Sequence, residues 1–413
     1  MRSRSEEGLI LDMVSWQQRQ SESAPEHQDT LSQLVNRQRA WVEIDLAALA
    51  HNVKAIKAFL APETKLMAVV KADAYGHGAV TVAQTALNYG ADSLAIATLA
   101  EGVELRSAGI EAPILILGAI NAVEDVKAIA AWDLEPTICN AEQALLFDRV
   151  LASVGKSLPV HLKLDTGMSR LGTNWQKAVS FGQLVSTLPN LNIASIYSHF
   201  STADESDRTW MDLQHQRFRD AIARLRASGC VPPQIHLANS AATLSDRSCH
   251  YDMVRVGLAL YGLYPALHLP RAIDLQPVLQ VKAKITQVST ILAGEGVSYG
   301  RKFVAPQDTK VAVVGIGYAD GVPRNLSNRL RAIVRGQLVP QIGSITMDQL
   351  MLNVNNIPDL EPGEVVTLIG QENNLSITAE SWADELNTIS WEILCGFKHR
   401  LPRVFDCGET LFK

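Results

Sequence analysis

A lysine ends a short apolar, β-rich run in the segment VVKADAYGHG at residues 69–78. A lysine at the end of a buried strand is costly unless it is paired, hydrated or chemically used. Partial desolvation lowers the pKa of an amine, which suits a nucleophile that attacks a carbonyl group. We therefore predict Lys71 as a candidate for a covalent bond to a carbonyl cofactor. Most lysines at strand ends simply reach solvent, so the rest of the chain has to support this prediction.

The elements that would position this lysine alternate between strand and helix. Segments with apolar residues at helical spacing separate eight β-rich runs. These runs are KLMAVVK, SLAIAT, PILILG, LEPTIC, PVHLKLD, IASIYSHF, PQIHLAN and MVRVGLALYG. Such alternation predicts an α/β fold with a parallel sheet, and eight units over about 230 residues match a (β/α)8 TIM-type barrel. The seventh connection, SAATLSDRSCHYD, is short for a full helix, so a doubly wound sheet remains an alternative.

The sequence pattern changes at both ends of this barrel region. Beyond Leu275, alternating β-rich runs joined by glycine-containing turns predict a mainly β C-terminal domain, with TAESWADELN as its clear helix. The first residues are rich in Gln, Ser and Glu, which favours a flexible extension over a short helix around residues 9–16. We expect a flexible extension at 1–39, a (β/α)8 barrel at 40–275 and a mainly β domain at 276–413.

Composition narrows the class of protein. The 413 residues carry a net charge of −6, which gives no reason to expect nucleic acid or an anionic membrane as a partner. No apolar run approaches the ~20 residues that span a bilayer. The cysteines are odd in number and form no CxxC pair, which predicts free thiols in a reducing, cytoplasmic compartment. They are Cys139, Cys230, Cys249, Cys395 and Cys407.

Polar residues follow the predicted barrel strands at the end where barrels carry their active sites. In strand order they are Lys71; Lys163, Asp165 and Arg170; Tyr197 and His199; Asn239 and Ser240; and Arg255 and Gly257. A serine hydroxyl and a glycine that admits close backbone approach suit a phosphate group. Lysine, phosphate-like loops and a central arginine together fit pyridoxal 5′-phosphate, and no metal is expected. Taken singly, His199 could be a core histidine and Arg255 a structural ion-pair partner.

Nine segments occur in the order and with the spacing of one known family. They are VVKADAYGHG, HLKLDTGMSRLG, YSHFSTAD, HLANSAAT, VRVGLALYG, GVSYG, GIGYADGVPR, GSITMDQ and TISWEILC. On these motifs, from Trp41 nearly to the C-terminus, the chain resembles the alanine racemases, which use pyridoxal phosphate. Barrel decarboxylases and single-domain pyridoxal phosphate proteins share the lysine but not the later motifs.

The resemblance implies roles for the barrel residues. Lys71 would form a Schiff base with the cofactor, and Arg255 would face the pyridine nitrogen and leave it unprotonated. His199 would lie against the ring, and Arg170 would reach the phenolic oxygen or the substrate carboxylate. Lys163, at a position that is frequently carbamylated in the family, would orient Arg170. The phosphate would be held by Tyr75, Ser240 and the backbone of Gly257 and Leu258.

The resemblance also implies roles for the β domain. Tyr299 would be the second acid/base group, supplied by the partner subunit of a head-to-tail homodimer and acting on the L-specific face, opposite Lys71. Met347 would contact the substrate through its backbone, with Asp348 and Tyr318 in support. Three positions depart from the family pattern: Trp391 replaces a frequent tyrosine near the phosphate, Ser344 an entryway arginine of some members, and Val322 a common aromatic residue.

We therefore predict an amino-acid racemase, an isomerase that interconverts L-alanine and D-alanine by two-base proton transfer and supplies D-alanine for peptidoglycan. A racemase of broader or different specificity, acting on serine for example, is the nearest alternative, because a methyl-sized pocket discriminates only modestly against slightly larger side chains. A decarboxylase and a non-catalytic pyridoxal phosphate carrier are further alternatives. The combination of Tyr299 and Arg255 argues against a decarboxylase, and the intact β domain argues against a non-catalytic carrier.

Overall fold

The computed structural model describes residues 39–406, so the predicted extension lies outside the described residues except for Arg39. The strands are β1 Ala40–Asp45, β2 Lys65–Val69, β3 Ser93–Ile96, β4 Ile114–Ala119, β5 Glu135–Ile138, β6 Leu158–Asp165, β7 Thr173–Asn174, β8 Leu191–Tyr197, β9 Ile235–His236, β10 Met253–Val256, β11 Leu279–Ile291, β12 Gly296–Val297, β13 Phe303–Val304, β14 Thr309–Val314, β15 Arg331–Val334, β16 Gln337–Pro340, β17 Leu350–Asn353, β18 Val365–Glu372, β19 Leu375–Ile377 and β20 Arg403–Asp406. The helices are α1 Leu46–Phe59, α2 Lys71–Gly76, α3 Ala79–Asn88, α4 Leu99–Ser107, α5 Val123–Ala131, α6 Ala141–Ser153, α7 Ala178–Ser186, α8 Thr209–Ala227, α9 Ser240–Ser245, α10 Ala379–Leu386 and α11 Ser390–Gly396.

Eight parallel strands close into a barrel in the order β2-β3-β4-β5-β6-β8-β9-β10, with β10 pairing back onto β2. Each of the eight predicted runs overlaps one of these strands, so the barrel is confirmed over the doubly wound sheet. Strands such as β3 and β10 are buried along their whole length, as expected where helices cover a parallel sheet. The short seventh connection forms α9 and a 3₁₀ turn at Arg247–Cys249.

Polar caps start several helices directly after a strand ends. Thr98 and Glu101 form a capping box at α4, while Asn140 and Asn239 accept hydrogen bonds from the first turns of α6 and α9. A capping side chain satisfies a backbone N–H that the helix itself leaves without a partner. The chain therefore turns sharply at the strand ends, which keeps the barrel rim, meaning the C-terminal ends of its strands, compact.

A second sheet forms the mainly β domain, with strand order β16-β15-β18-β11-β1-β20 and with β14, β17 and β19 alongside. Its member β1 lies antiparallel to β11 and parallel to β20. Residues 40–45 thus belong to this sheet, although the expected range 40–275 assigned them to the barrel. The apolar pattern AWVEID indicates a strand, but its partners lie more than two hundred residues away, and only tertiary packing selects them.

Between residues 276 and 406, the structure shows two α-helices where the sequence predicted one clear helix. TAESWADELN forms α10 as expected, and TISWEILC forms α11. Within residues 39–406, no helix is long and apolar enough to cross a membrane.

Candidate active site

Lys71 opens an unusual turn that directly follows β2. Residues 72–75 have φ between 52° and 56°, so this single turn is left-handed although none of the four is glycine. Such a conformation costs an L-residue roughly 1–2 kcal/mol each. Hydrogen bonds from Ala72 N to Glu101 Oε1 (2.7 Å) and from Ala79 N to Asp73 Oδ1 (2.8 Å) hold the turn. Strain that the surroundings maintain in this way is typical of functional sites.

The turn also rests on the C-terminal segment of the chain. A Cβ atom at Gly76 would lie 2.6 Å from the carbonyl oxygen of Leu394 in α11. Arg403 Nε donates to the Gly76 carbonyl at 3.0 Å. The β domain therefore helps to fix the position of Lys71. Sequence reasoning missed this contact, because nothing in TISWEILC indicates what its helix packs against.

The Lys71 amine has a pKa below that of an ordinary lysine. Burial is the main cause, and the positive charge of Arg170 adds to it. Arg170 follows β6 in a loop shaped by Asp165 Oδ1, which accepts hydrogen bonds from three successive backbone N–H groups. Arg170 itself is exposed and faces a cavity of about 920 Å³ between the loops after β4, β5 and β6. Because its pKa is lowered, a larger fraction of Lys71 than of an ordinary lysine is neutral, and so nucleophilic, at a given pH.

Arg255 lies buried in β10 without a carboxylate partner in the described part of the chain. Its Nη1 donates to His236 Nδ1 (2.9 Å), and its Nη2 donates to Ser198 O (2.7 Å) and lies 3.1 Å from His199 Nδ1. Its Nε has no hydrogen-bond partner among residues 39–406. Burial lowers the pKa of Arg255 to about 10, so the guanidinium stays charged near neutrality.

His199 lies against this arginine. Burial, followed by the charge of Arg255, holds the pKa of His199 well below its usual value. The imidazole is therefore neutral near pH 7, and its Nδ1 can accept the hydrogen bond from Arg255. A neutral aromatic ring beside a fixed cation suits stacking against a planar ligand.

The ends of β9 and β10 form a cradle of hydrogen-bonding groups. Ser240 Oγ accepts from Gly257 N (3.0 Å) and from Ala259 N (3.4 Å), with buried Leu258 between them. A Cβ atom at Gly257 would lie 2.5 Å from Tyr75 Oη, so only glycine lets the tyrosine approach this backbone. Burial raises the pKa of Tyr75 far above its usual value and keeps its hydroxyl a donor. Converging hydroxyl and N–H groups fit a phosphate.

These groups match the three parts of pyridoxal phosphate. Lys71 suits its aldehyde, the free Nε–H of Arg255 suits a pyridine nitrogen, and the Tyr75–Ser240–Gly257 cradle suits its phosphate. Between residues 39 and 406, no group of three or more His, Cys, Asp or Glu side chains could hold a metal ion. The residues present therefore fit the organic cofactor that the sequence indicated.

Lys163 is a buried amine in cationic surroundings. Its Nζ lies 4.3 Å from the centre of the Tyr197 ring, whose hydroxyl is 2.7 Å from Thr137 Oγ1. Burial, then the charges of Arg255 and Arg170, lower the pKa of Lys163 well below its usual value. The lowered pKa increases the neutral fraction of this amine, and only a neutral lysine reacts with carbon dioxide.

The β-domain residues lie apart from this rim within one chain. Tyr299 is 73% exposed and follows β12, and Met347 is 53% exposed. Ser344 Oγ donates to Tyr299 O (2.8 Å), and the backbone N–H of Tyr318 donates to Thr346 O (2.9 Å). In residues 39–406 no hydrogen bond or ring contact joins the Tyr299 side chain to a barrel residue. A single chain thus assembles the predicted barrel residues but leaves Tyr299, Tyr318 and Met347 exposed to solvent.

The structure shows what surrounds the three residues that depart from the family pattern, and it explains two of them, Val322 and Ser344. Val322 is fully buried and packs in the core, and Ser344 is buried and holds the Tyr299 backbone. Trp391 lies half-buried in α11.

A buried carboxylate that sequence reasoning did not select supports the GIGYADGVPR loop. Asp320 accepts hydrogen bonds from both Nη atoms of Arg39 (2.7 and 2.8 Å) and from Gly317 N (2.9 Å). Arg400 lies 3.5 Å from Asp320 and 2.7 Å from Asp348. The last residue of the expected flexible range is therefore anchored. In the sequence, the available indication was Asp320 itself, an acidic residue between alanine and glycine. A carboxylate at such a position needs a cationic partner once it is buried.

Comparisons with known proteins agree with this geometry. The family model described as "Alanine racemase, N-terminal domain" matches residues 44–265, and "Alanine racemase, C-terminal domain" matches residues 278–405. The chain belongs to the alanine racemase family. An alanine racemase of Nostoc sp. is 63% identical over 369 residues, covering 89% of this chain and 96% of the relative. One from Synechocystis sp. is 63% identical over 368 residues, covering 89% and 99%.

Solved alanine racemase structures share the fold. The Clostridium difficile 630 enzyme superposes with a TM-score of 0.86 at 33% identity, covering 90% of this chain and 96% of that one. The Bacillus anthracis enzyme with bound L-Ala-P gives a TM-score of 0.85 at 35% identity, covering 91% and 97%. The barrel followed by a mainly β domain is therefore the architecture of the family.

Proposed function

We propose that this protein is a pyridoxal phosphate-dependent racemase that interconverts L-alanine and D-alanine. The observation that carries the proposal is the meeting of Lys71, Arg255 and the Tyr75–Ser240–Gly257 cradle at one barrel rim. Membership of the alanine racemase family supports the same conclusion. The D-alanine produced would serve peptidoglycan synthesis in cell wall biogenesis.

Bound pyridoxal phosphate supplies electron withdrawal that acidifies the Cα–H bond of the amino acid. Lys71 holds the cofactor and, once free, exchanges a proton at Nζ with the D-specific face of Cα. Arg255 does not give up its proton, so it would leave a bound ring nitrogen uncharged and limit withdrawal into the ring, which would disfavour side reactions such as transamination. Arg170 would bind the substrate carboxylate or the phenolic oxygen, His199 would lie against the ring, and Trp391 would lie near the phosphate. The cradle, including the Leu258 backbone, would hold the phosphate.

Racemisation needs a second proton-transfer group on the opposite face of Cα, and we assign it to Tyr299 Oη. Because Tyr299 is 73% exposed in the single chain, we propose that it enters the site of a second copy in a head-to-tail homodimer. Met347 would contact the substrate through its backbone in the same interface. Asp348, held by Arg400 at 2.7 Å, and Tyr318 would support this loop.

Lys163 would act as a carbamate. A neutral amine attacks carbon dioxide and loses a proton, leaving a carboxylate on Nζ. That anion would neutralise the positive charges of Arg255 and Arg170 near Lys163, and it would orient Arg170. Intact-protein mass spectrometry without acid treatment would detect the added carbon dioxide, and a mass equal to that of the unmodified chain would contradict the carbamate.

The enzyme would work in the cytoplasm. Four cysteines in the described region carry free thiols, which suits a reducing compartment. Recovery of the protein from a periplasmic or membrane fraction would contradict this assignment.

The deciding experiment incubates the purified protein with L-alanine and pyridoxal phosphate in D2O. Chiral chromatography and Cα deuterium content are measured, with Lys71→Ala as control and serine in parallel. D-alanine carrying deuterium, absent with the control, is the expected result. Exchange without inversion would contradict the Tyr299 role. No exchange while cofactor is bound to Lys71 would exclude the racemase, and faster turnover of serine would replace the substrate assignment.

A further inference from the structure

Five side chains form one continuous hydrogen-bonded chain through the barrel interior. Arg255 Nη1 lies 2.9 Å from His236 Nδ1, and His236 Nε2 lies 2.7 Å from Ser195 Oγ. Ser195 Oγ lies 2.6 Å from His161 Nδ1, and His161 Nε2 lies 2.8 Å from Glu135 Oε2. The five residues come from β10, β9, β8, β6 and β5, which are successive neighbours in the barrel. We call them the core relay.

The core relay runs from the rim towards the opposite end of the barrel. Glu135 is the first residue of its strand, whereas Arg255 precedes the strand end by one residue. The three middle members are at most 3% exposed. Buried polar groups are expensive unless every donor meets an acceptor, and here each ring nitrogen of His236 and His161 has a partner.

With both imidazoles neutral, the two ends fix the direction of every hydrogen bond. A guanidinium only donates, so His236 Nδ1 must accept and its proton sits on Nε2. His236 Nε2–H then donates to Ser195, whose hydroxyl donates to His161 Nδ1. His161 Nε2–H finally donates to Glu135, whose carboxylate only accepts. All four hydrogen bonds therefore point from the cation at the rim to the anion at the far end.

The surroundings favour this arrangement. Burial, followed by the charge of Arg255, holds the pKa of His236 well below its usual value, so the ring is neutral. The Tyr197 ring stacks on it at 4.8 Å with an interplanar angle of 5°. A neutral His236 can carry its proton on either Nδ1 or Nε2, and the hydrogen bonds of the core relay determine which of these tautomers is present.

We propose that Glu135, His161 and Ser195 are positioning residues for racemisation, acting on Arg255 through His236. By accepting the Nε2 proton of His236, they keep Nδ1 free to accept from Arg255 and so hold the guanidinium in place for the cofactor ring. With the other tautomer, an Nδ1–H group would oppose the Nη1–H group of Arg255. The contribution to catalysis rests on the proposed racemase function, whereas the tautomer control is a property of the chain itself.

The test breaks the core relay at its middle. Ser195→Ala removes the hydroxyl at nearly constant volume and leaves His236 Nε2 without an acceptor. In holoenzyme with ¹⁵N-labelled histidine, assigned by single substitutions, we expect His236 as the Nε2–H tautomer in the wild type. In the variant we expect a measurable rise in the Nδ1–H fraction, because only the contact with Arg255 then opposes that tautomer. We expect kcat to fall by about tenfold, as for other supporting-residue losses, while KM for alanine changes little. The absorption spectrum of the Lys71-bound cofactor should shift as Arg255 moves.

Ser93→Ala is the matched control. Ser93 is a buried serine on barrel strand β3, which carries no member of the core relay, and its Oγ approaches only Met253 Sδ at 3.9 Å among the described residues. We expect wild-type tautomers, spectrum and kcat for this variant. A loss shared by both serine variants would attribute the effect to barrel packing and overturn the proposal.

A second pair of variants acts at the half-buried far end, where folding is less at risk. Glu135→Gln keeps an acceptor oxygen for His161, and Glu135→Leu removes it at similar size. We expect near wild-type behaviour for the first and the Ser195→Ala signature for the second. Wild-type His236 tautomer and kcat in both Ser195→Ala and Glu135→Leu would overturn the proposal. A wild-type protein that fails to racemise alanine, yet whose His236 tautomer responds to Glu135→Leu, would contradict only the proposed function.

Discussion

At the scale of single residues, the site is a set of cations and neutral rings whose properties follow from burial. Lys71, Lys163 and Arg255 all have lowered pKa values, with desolvation as the largest cause. Removing water penalises a charged amine strongly, while a guanidinium tolerates burial because its charge is delocalised and its donors are satisfied. One environment therefore raises the neutral, nucleophilic fraction of two amines while the neighbouring guanidinium stays charged near neutrality.

The lowered pKa of Lys71 predicts how binding depends on pH. Only the neutral amine attacks an aldehyde, so the rate of pyridoxal phosphate capture by apoprotein should reach its plateau at a lower pH than with free lysine. Removing a nearby positive charge raises the pKa of an amine, so Arg170→Gln should move the inflection to higher pH. Stopped-flow absorbance across pH measures both curves. An unchanged inflection in Arg170→Gln would contradict the electrostatic contribution of Arg170.

At the scale of elements, contacts between the two domains hold the Lys71 turn in its left-handed conformation. The turn meets α11 at Gly76, and Arg403, the first residue of β20, binds the Gly76 carbonyl. A strained turn persists only when neighbours over-determine it. The C-terminal domain is thus part of the lysine's scaffold as well as a separate folding unit.

Gly76→Ala tests this scaffold. Gly76 has φ of 83°, and its added Cβ would lie 2.6 Å from Leu394 O. Gly109 is a matched control, because its φ is 80° and an added Cβ would meet nothing within 4 Å. We expect Gly109→Ala to lower the free energy of unfolding by about 1 kcal/mol from backbone strain, and Gly76→Ala by a further ~1–3 kcal/mol from overpacking. Urea denaturation gives both values, and equal losses would contradict the interdomain contact.

Arg39→Ala tests the anchor in front of β1. Among the described residues, the variant leaves the buried carboxylate of Asp320 with the more distant Arg400, at 3.5 Å, as its cationic partner and with the hydrogen bond from Gly317 N. Breaking a fully buried pair costs about 3–5 kcal/mol, and because Arg39 is partly exposed we expect about 2 kcal/mol. The exposed pair Lys127–Glu124 supplies the control, since Lys127→Ala should cost less than about 1 kcal/mol. Thermal unfolding followed by circular dichroism compares them, and equal costs would contradict the anchor.

At the scale of the whole molecule, the two groups of residues that we propose as one active site do not meet within one chain. The barrel rim presents Lys71 and the groups proposed to bind the cofactor, while the β domain presents Tyr299 and Met347 to solvent. A symmetric dimer in which each β domain faces the other rim would complete both sites at once.

Mixed dimers test this assembly. Lys71→Ala and Tyr299→Phe chains are each expected to be nearly inactive, because each lacks one proton-transfer group. Co-expressed in equal amounts, random pairing makes half of the dimers mixed, and each mixed dimer regains one intact site. We expect about a quarter of the wild-type activity, measured by chiral chromatography with the separately purified variants as controls. No recovery despite mixed dimers, detected by two affinity tags, would mean that both groups come from one chain.

The sequence by itself determined the eight barrel strands, the lysine and its neighbours, and the family, because these depend on local periodicity and on motifs such as VVKADAYGHG and VRVGLALYG. Only the tertiary structure decided that β1 joins the distant sheet of β11 and β20, that α11 supports the Lys71 turn, and that Arg39 binds Asp320. The tertiary structure also connected Glu135 to Arg255 by hydrogen bonds through three residues on three intervening strands. The physical reason is that local patterns fix which face of an element is buried, whereas partners far apart in sequence are selected by packing and by the need to satisfy buried polar groups.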